Sequence, residues 1–77
     1  MEIKVFFFGV LADLAGTRCQ NYDKVKSFTD LCRMIKDDYP EFENYDYRIS
    51  VNNELLNNDP VLKDGDELAL MPPFEGG

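Results

Sequence analysis

The groups in this chain that could do chemistry are few, and the most suggestive lie at one end. After Met71 the sequence reads Pro72-Pro73-Phe74-Glu75-Gly76-Gly77. Two bare glycines can thread a narrow channel and adopt backbone angles closed to other residues. A carboxylate on Gly77 has minimal steric cover and, with a reference pKa of about 3.5, is ionised at neutral pH. In that form it is a poor electrophile, so it suits activation by another enzyme, for instance as an acyl adenylate. The chain has no nucleotide-binding loop with which to perform that step itself. Pro72-Pro73 favours a stiff, extended stretch. The six residues beyond Met71 reach roughly 20 Å when extended, far enough to present Gly76-Gly77 to another protein.

The rest of the composition removes competing chemistries. There is no His among the 77 residues, which eliminates the commonest general base and metal ligand. Cys19 and Cys32 have no CxxC spacing, so no zinc site is expected. Cys32 reads as a core residue of a helix, Cys19 as partly exposed in or beside a strand, and a reducing cytosol fits both. With 15 acidic and 8 basic residues the net charge is −7. That balance argues against nucleic acid and against an anionic membrane surface, and it favours encounter with a basic protein partner or simple solubility. The apolar run Val5–Leu14 is interrupted by Asp13 and doubles as the best strand, so it is not read as a targeting segment. No run is long enough to span a bilayer, and a cytoplasmic location is expected.

The elements that must carry the tail follow from periodicity. Ile3 to Phe8 is rich in β-branched and aromatic residues and predicts a strand, with Ile3, Val5 and Phe7 on one face and Phe6 and Phe8 on the other. Val10–Ala15 suits a short helix ended by Gly16, and Thr17–Lys24 a returning antiparallel strand. Ser27 is an N-cap with Asp30 three places on. Phe28, Leu31, Cys32, Ile35 and Tyr39 continue at helical spacing until Pro40 stops the helix. Glu41–Asp46 reads as a polar connection. Tyr47–Val51 predicts a third strand, Asn52-Asn53 a turn, Leu55-Leu56 a short strand, and Asn57–Leu62 a loop. Asp64-Gly65 marks a tight turn before a last strand containing Leu68 and Leu70.

One main helix covering one face of a mixed sheet is an α+β, β-grasp (ubiquitin-like) layout. The division is residues 1–71 as the domain and 72–77 as an extended tail. The expected core is Ile3, Val5, Phe28, Leu31, Ile35, Ile49, Val51, Leu68 and Leu70. Phe6 and Phe8 cannot share that core. Phe8 is expected beneath the short helix around Leu11 and Leu14. Phe6, Met71 and Phe74 are then candidates for an apolar patch near the tail.

The opening Ile3-Lys4-Val5-Phe6-Phe7-Phe8, Leu14-Ala15-Gly16, Val51-Asn52, Asp64-Gly65-Asp66-Glu67 and the closing Pro72-Pro73-Phe74-Glu75-Gly76-Gly77 together resemble the small subunit of molybdopterin synthase (the MoaD family). The resemblance runs from end to end. The thiamin sulfur carriers (the ThiS family) share the fold and the Gly-Gly but usually lack the Pro-Pro. Where MoaD relatives often carry a basic residue before Leu-Ala-Gly, this chain has Ala12-Asp13.

The resemblance implies a sulfur carrier that is non-catalytic alone and binds no cofactor or metal. An adenylating enzyme of the MoeB type would activate Gly77 with ATP, and sulfur transfer would convert it to a thiocarboxylate. The large synthase subunit, of the MoaE type, would receive the tail in a heterotetramer and deliver sulfur to cyclic pyranopterin monophosphate in molybdenum cofactor biosynthesis. Gly77 and Gly76 would be the reacting end, and Phe6, Met71, Pro72, Pro73, Phe74 and Glu75 the partner contacts. Alternatives are a sulfur carrier for thiamin, cysteine or tungsten cofactor synthesis, a ubiquitin-like protein modifier, and a binding module with an inert tail.

Overall fold

The computed structural model describes residues 1–52, 54–55 and 60–72. Its elements are β1 (Ile3–Phe7), α1 (Val10–Ala15), β2 (Cys19–Tyr22), α2 (Phe28–Asp38), a 3₁₀ helix (Pro40–Asn44), β3 (Arg48–Val51), β4 (Glu54–Leu55) and β5 (Glu67–Met71). The strands form one sheet in the order β2-β1-β5-β3-β4. β1 and β5 run parallel at its centre, and the other pairs are antiparallel. This is the β-grasp fold.

Register explains the core. Val5 lies opposite Leu68 and Phe7 opposite Leu70, while Ile49 and Val51 oppose Leu70 and Leu68 from the other side. Side chains paired in this way stand on the same face of the sheet. Leu31 and Ile35 of α2 close over that face and are buried with Ile3, Val5, Phe7, Leu68 and Leu70. Phe28, Ile49 and Val51 pack against this cluster but are only partly buried. Cys32, expected in the core, is half-buried, and Cys19 is exposed.

The local signals operate as the residues suggest. Gly16 ends α1 in the left-handed region at φ 73°, its N–H donating to the Ala12 carbonyl. Ser27 Oγ accepts from the Asp30 N–H at 3.0 Å. The reciprocal arm of the box is displaced by one residue, since the Asp30 carboxylate accepts from the Lys26 N–H at 2.9 Å. Pro40 opens the 3₁₀ helix that follows α2.

The segment Glu41–Asp46 is not merely a polar connection. Phe42 within it is 1% exposed. It stacks on Tyr39 with centroids 5.0 Å apart and meets Phe7 edge-on at 5.6 Å. One apolar residue among acidic neighbours gives no periodicity, yet the 3₁₀ turn aims it under the sheet. Tyr22, Val25, Leu11 and Leu62 also belong to the core. Tyr22 donates from its hydroxyl to Asp38 at 2.8 Å, tying β2 to the end of α2. Burial, reinforced by that hydrogen bond, pushes the Tyr22 phenol well above its ordinary range.

Candidate functional site: an open sheet face beside the tail

The face of the sheet turned away from α2 carries Lys4 and Phe6 of β1, Cys19 of β2, Arg48 and Ser50 of β3, and Ala69 and Met71 of β5. Their register places them side by side: Phe6 lies opposite Cys19 on one flank and Ala69 on the other, Ser50 opposite Ala69, and Arg48 opposite Met71. Phe6, Ala69 and Met71 are half-buried, and Ser50 is buried.

Phe8, just beyond the end of β1, is 48% exposed. The expectation that the short helix covers it fails for a geometric reason. Gly9 precedes α1 at φ 57°, ψ −134°, a conformation open to glycine. The turn sends α1 to the core side, where Leu11 is fully buried. Phe8 is left uncovered, and its N–H is held by the Leu70 carbonyl at 3.1 Å.

Two shallow concavities flank Phe6 and Phe8. One, of about 210 Å³, is lined by Phe6, Phe8, Ser50, Asn52, Glu67, Leu68 and Ala69. The other, of about 530 Å³, lies between the end of β1, the start of α1 and the start of β2, and includes Gly9, Asp13, Arg18 and Cys19. Cations border this face although the chain is strongly acidic. Lys4 Nζ sits 6.0 Å from the Phe6 ring centroid, Arg18 lines the larger groove, and Arg48 is exposed beside Met71. Among the described residues the ion pairs are Arg33 with Asp30 and Asp37, and Lys36 with Glu43, on α2 and the 3₁₀ helix. No group of three or more metal-ligating side chains occurs among the described residues, and no described helix is long and apolar enough to cross a membrane.

The sequence-predicted site residues fall into three sets. Phe6 and Met71 share the open face as expected. Pro72 is fully buried, so the first proline anchors the end of β5 to the body. Pro73, Phe74, Glu75, Gly76 and Gly77 lie outside the described residues. The open face also recruits Phe8, Ala69 and Arg48, which sequence reasoning did not assign to the site. The signal for Phe8 and Ala69 is parity: once β1 and β5 are aligned, every second residue from Phe6 and Met71 shares their side, whereas Arg48 joins them only through the pairing of β3 with β5.

The Val51-Asn52 and Asp64–Glu67 motifs serve a different purpose. Gly65 adopts φ 87° at the turn into β5. The Asp66 carboxylate accepts from the Lys63 N–H at 2.8 Å and from Asn52 Nδ2 at 3.2 Å. Asn52, itself at φ 50°, accepts from the Glu67 N–H at 3.0 Å. Glu2 closes the set, donating its N–H to Asp64 and accepting from the Gly65 N–H. These contacts join the start of β1, the end of β3 and the start of β5, at the end of the sheet opposite the tail.

Residues 5–77 match the ThiS family. Among solved structures, a Pyrococcus furiosus chain described as molybdopterin converting factor subunit 1 is 28% identical, with a TM-score of 0.82 over 95% of this chain and 98% of that one. The small archaeal modifier protein 1 of Haloferax volcanii is 25% identical, with a TM-score of 0.79 over the whole of both chains. A chain from the Helicobacter pylori complex of molybdopterin-converting factor subunits 1 and 2 is 26% identical, with a TM-score of 0.76, again over both whole chains.

Proposed function

Because this chain belongs to the ThiS family and has the ubiquitin-like fold of the MoaD/ThiS sulfur carriers, we propose that it carries sulfur as a thiocarboxylate on Gly77. In this reading it is the small subunit of molybdopterin synthase. The Gly77 carboxylate attacks the α-phosphate of ATP on an adenylating enzyme, releasing pyrophosphate. Hydrosulfide-level sulfur from a donor then displaces AMP from the acyl adenylate, leaving the thiocarboxylate on Gly77. The large synthase subunit accepts the loaded tail and passes its sulfur to cyclic pyranopterin monophosphate.

The observation that carries the proposal is an apolar open face at the end of the sheet where β5, which leads in sequence to Gly76-Gly77, finishes. β5 ends at Met71 beside Arg48, and Phe8 is bonded to Leu70. A partner seated on Phe6, Phe8 and Met71 therefore sits where the tail departs. The partner class is supported by the likeness to a subunit 1 found in complex with its subunit 2, and the pathway by the Pro-Pro before the glycines. The likeness to a small archaeal modifier protein favours a second reading, in which Gly77 is conjugated to lysines of other proteins.

Intact-mass measurement on the native protein from its own cells tests the carrier reading. The expected species ends at Gly77 and is heavier by the difference between sulfur and oxygen. Deleting Gly77 shortens the reach by about 3.5 Å, large against catalytic tolerances. It should lower sulfur transfer by orders of magnitude with the melting temperature nearly unchanged. Full transfer without Gly77 would overturn the carrier mechanism, while isopeptide-linked Gly77 on other proteins, with no thiocarboxylate, would favour the modifier.

A further inference from the structure

β5 is a central strand, flanked by β1 and β3, yet it stops at Met71. The hydrogen-bond ladder shows what is missing at the next step. In the parallel pairing of β1 with β5 the Lys4 N–H donates to the Asp66 carbonyl and the Phe8 N–H to the Leu70 carbonyl, with Phe6 opposite Ala69 between them. A parallel ladder alternates such bonds with returning ones, each donated by the residue two places beyond the last acceptor. The bond that follows Leu70 would therefore run from the N–H of residue 72 back to the Phe8 carbonyl. Residue 72 is a proline and has no N–H. The Phe8 carbonyl accepts instead from the Leu11 N–H at 3.2 Å, at the start of α1.

Pro72 is also among the fully buried side chains. By parity it stands with Leu68 and Leu70 on the face beneath α2.

We propose that Pro72 is a positioning residue for the reacting end: by withholding one donor it keeps β5 from extending along β1, and so fixes the point from which the chain runs on to Gly77. This rests on the reading of Gly77 as the working end.

The scale of the effect follows from strand geometry. A ladder longer by one residue draws about 3.3 Å of chain into the sheet. Misplacing a reacting group by about 1 Å can cost about a hundredfold in rate, so a stop defined to a single residue matters for a group that must reach into another protein. A carbonyl oxygen has two lone pairs, so a donor at position 72 can join Leu11 at Phe8 without dismantling α1. The carbonyl concerned belongs to Phe8, so the end of the last strand and the exposed ring of the open face are held at one point.

The test separates the donor from the ring. Pro72→Ala supplies an N–H and removes the ring. N-methylalanine at position 72, introduced by chemical ligation at Cys32, removes the ring and supplies no N–H. Should the small side chain unfold the protein, Pro72→Val and N-methylvaline make the same comparison with most of the buried apolar volume retained.

Amide hydrogen exchange of the full-length protein, followed by NMR, is the first readout. In Pro72→Ala the amide at position 72 is expected to exchange at least about tenfold more slowly than in the unfolded chain. An unprotected amide there would overturn the proposal. The second readout is sulfur transfer with the proposed partner. In Pro72→Ala its kcat should fall about tenfold with KM little changed, and N-methylalanine should restore the wild-type rate. Equal loss in both proteins would assign Pro72 to packing alone and overturn the positioning role. Absence of any thiocarboxylate on Gly77 would remove the carrier reading and leave the exchange result to decide whether Pro72 stops the ladder.

Discussion

The two faces of β1 are built from one short run of sequence and serve opposite ends. Ile3, Val5 and Phe7 are at most 2% exposed beneath α2. Lys4, Phe6 and Phe8, interleaved with them, face the side without α2, and Phe8 alone is 48% exposed. Full burial of a side chain such as Phe contributes about 1.5–3 kcal/mol. On the inner face that contribution is realised in folding. On the outer face part of it is unrealised in the free chain and is available to whatever covers Phe6 and Phe8. The lesson is that apolar content alone does not define a core; the choice of face divides the same residue type between stability and recognition.

The comparison is broken most forcefully from the inside. Phe42 contacts Phe7, Tyr39 and Tyr47 at centroid distances of 5.6, 5.0 and 6.1 Å, so Phe42→Ala opens a cavity that neighbours on several elements cannot all fill. The expected loss is about 3–5 kcal/mol, with Ile35→Ala costing about 2–5 kcal/mol, both measured by chemical denaturation. A near-neutral Phe42→Ala would place the 3₁₀ helix outside the core and dissolve the contrast between the faces.

The outer face should give the reverse pattern. Phe8→Asp removes a half-exposed ring and adds an unpaired charge where an apolar partner surface is expected. Affinity for the proposed partner, a large synthase subunit, should fall about tenfold or more, equivalent to roughly 1.4 kcal/mol or more. Stability should move by no more than about 0.5 kcal/mol, as for ordinary surface substitutions. Titration calorimetry and thermal melts on the same variant separate the two quantities. Unchanged affinity with lowered stability would mean that Phe8 serves the fold rather than a partner.

Much of this architecture is legible in the sequence because its signals are local. Ser27 and Pro40 bracket α2, Gly16 and Gly65 require positive φ, and alternation in β1 and β5 sets the faces. Features that depend on contacts between distant segments are not legible in that way. Phe42 carries no periodic signal, since its burial is set by Phe7 and Tyr39. Tyr22 and Val25 sit where alternation is poor; Tyr22 is placed by β2 pairing with β1, and Val25 by backbone bonds to Met1. The direction of α1 hinges on the Gly9 dihedrals, which no pattern of apolar residues predicts, and with it the exposure of Phe8. At the site, Phe6 and Met71 were readable from parity and nearness to the tail. The cations Lys4, Arg18 and Arg48 were not, because only the folded sheet gathers them.

The smallest effect tests the end of the sheet that neither face controls. Hydrogen bonds from the Lys63 N–H and from Asn52 hold the Asp66 carboxyl below its usual value of 3.8. A carboxyl depressed in the folded state contributes stability that is present above its unfolded pKa and lost as pH falls through the folded one. Asp66 is solvent-accessible, so screening keeps the contribution small. Asp30 is also depressed, through Arg33 and then the Lys26 N–H, and shares the same acid limb. Asp66→Asn retains one acceptor oxygen but cannot titrate. Its melting temperature should lie slightly below that of the wild type at neutral pH. The difference should shrink as pH is lowered below 3.8, because the wild type then loses the charge that the variant never had. Affinity for the large subunit should be untouched, since Asp66 precedes β5 and the tail follows it. A gap that stays constant with pH would assign the effect to shape rather than charge. A loss of affinity would extend the working face to the wrong end of the sheet.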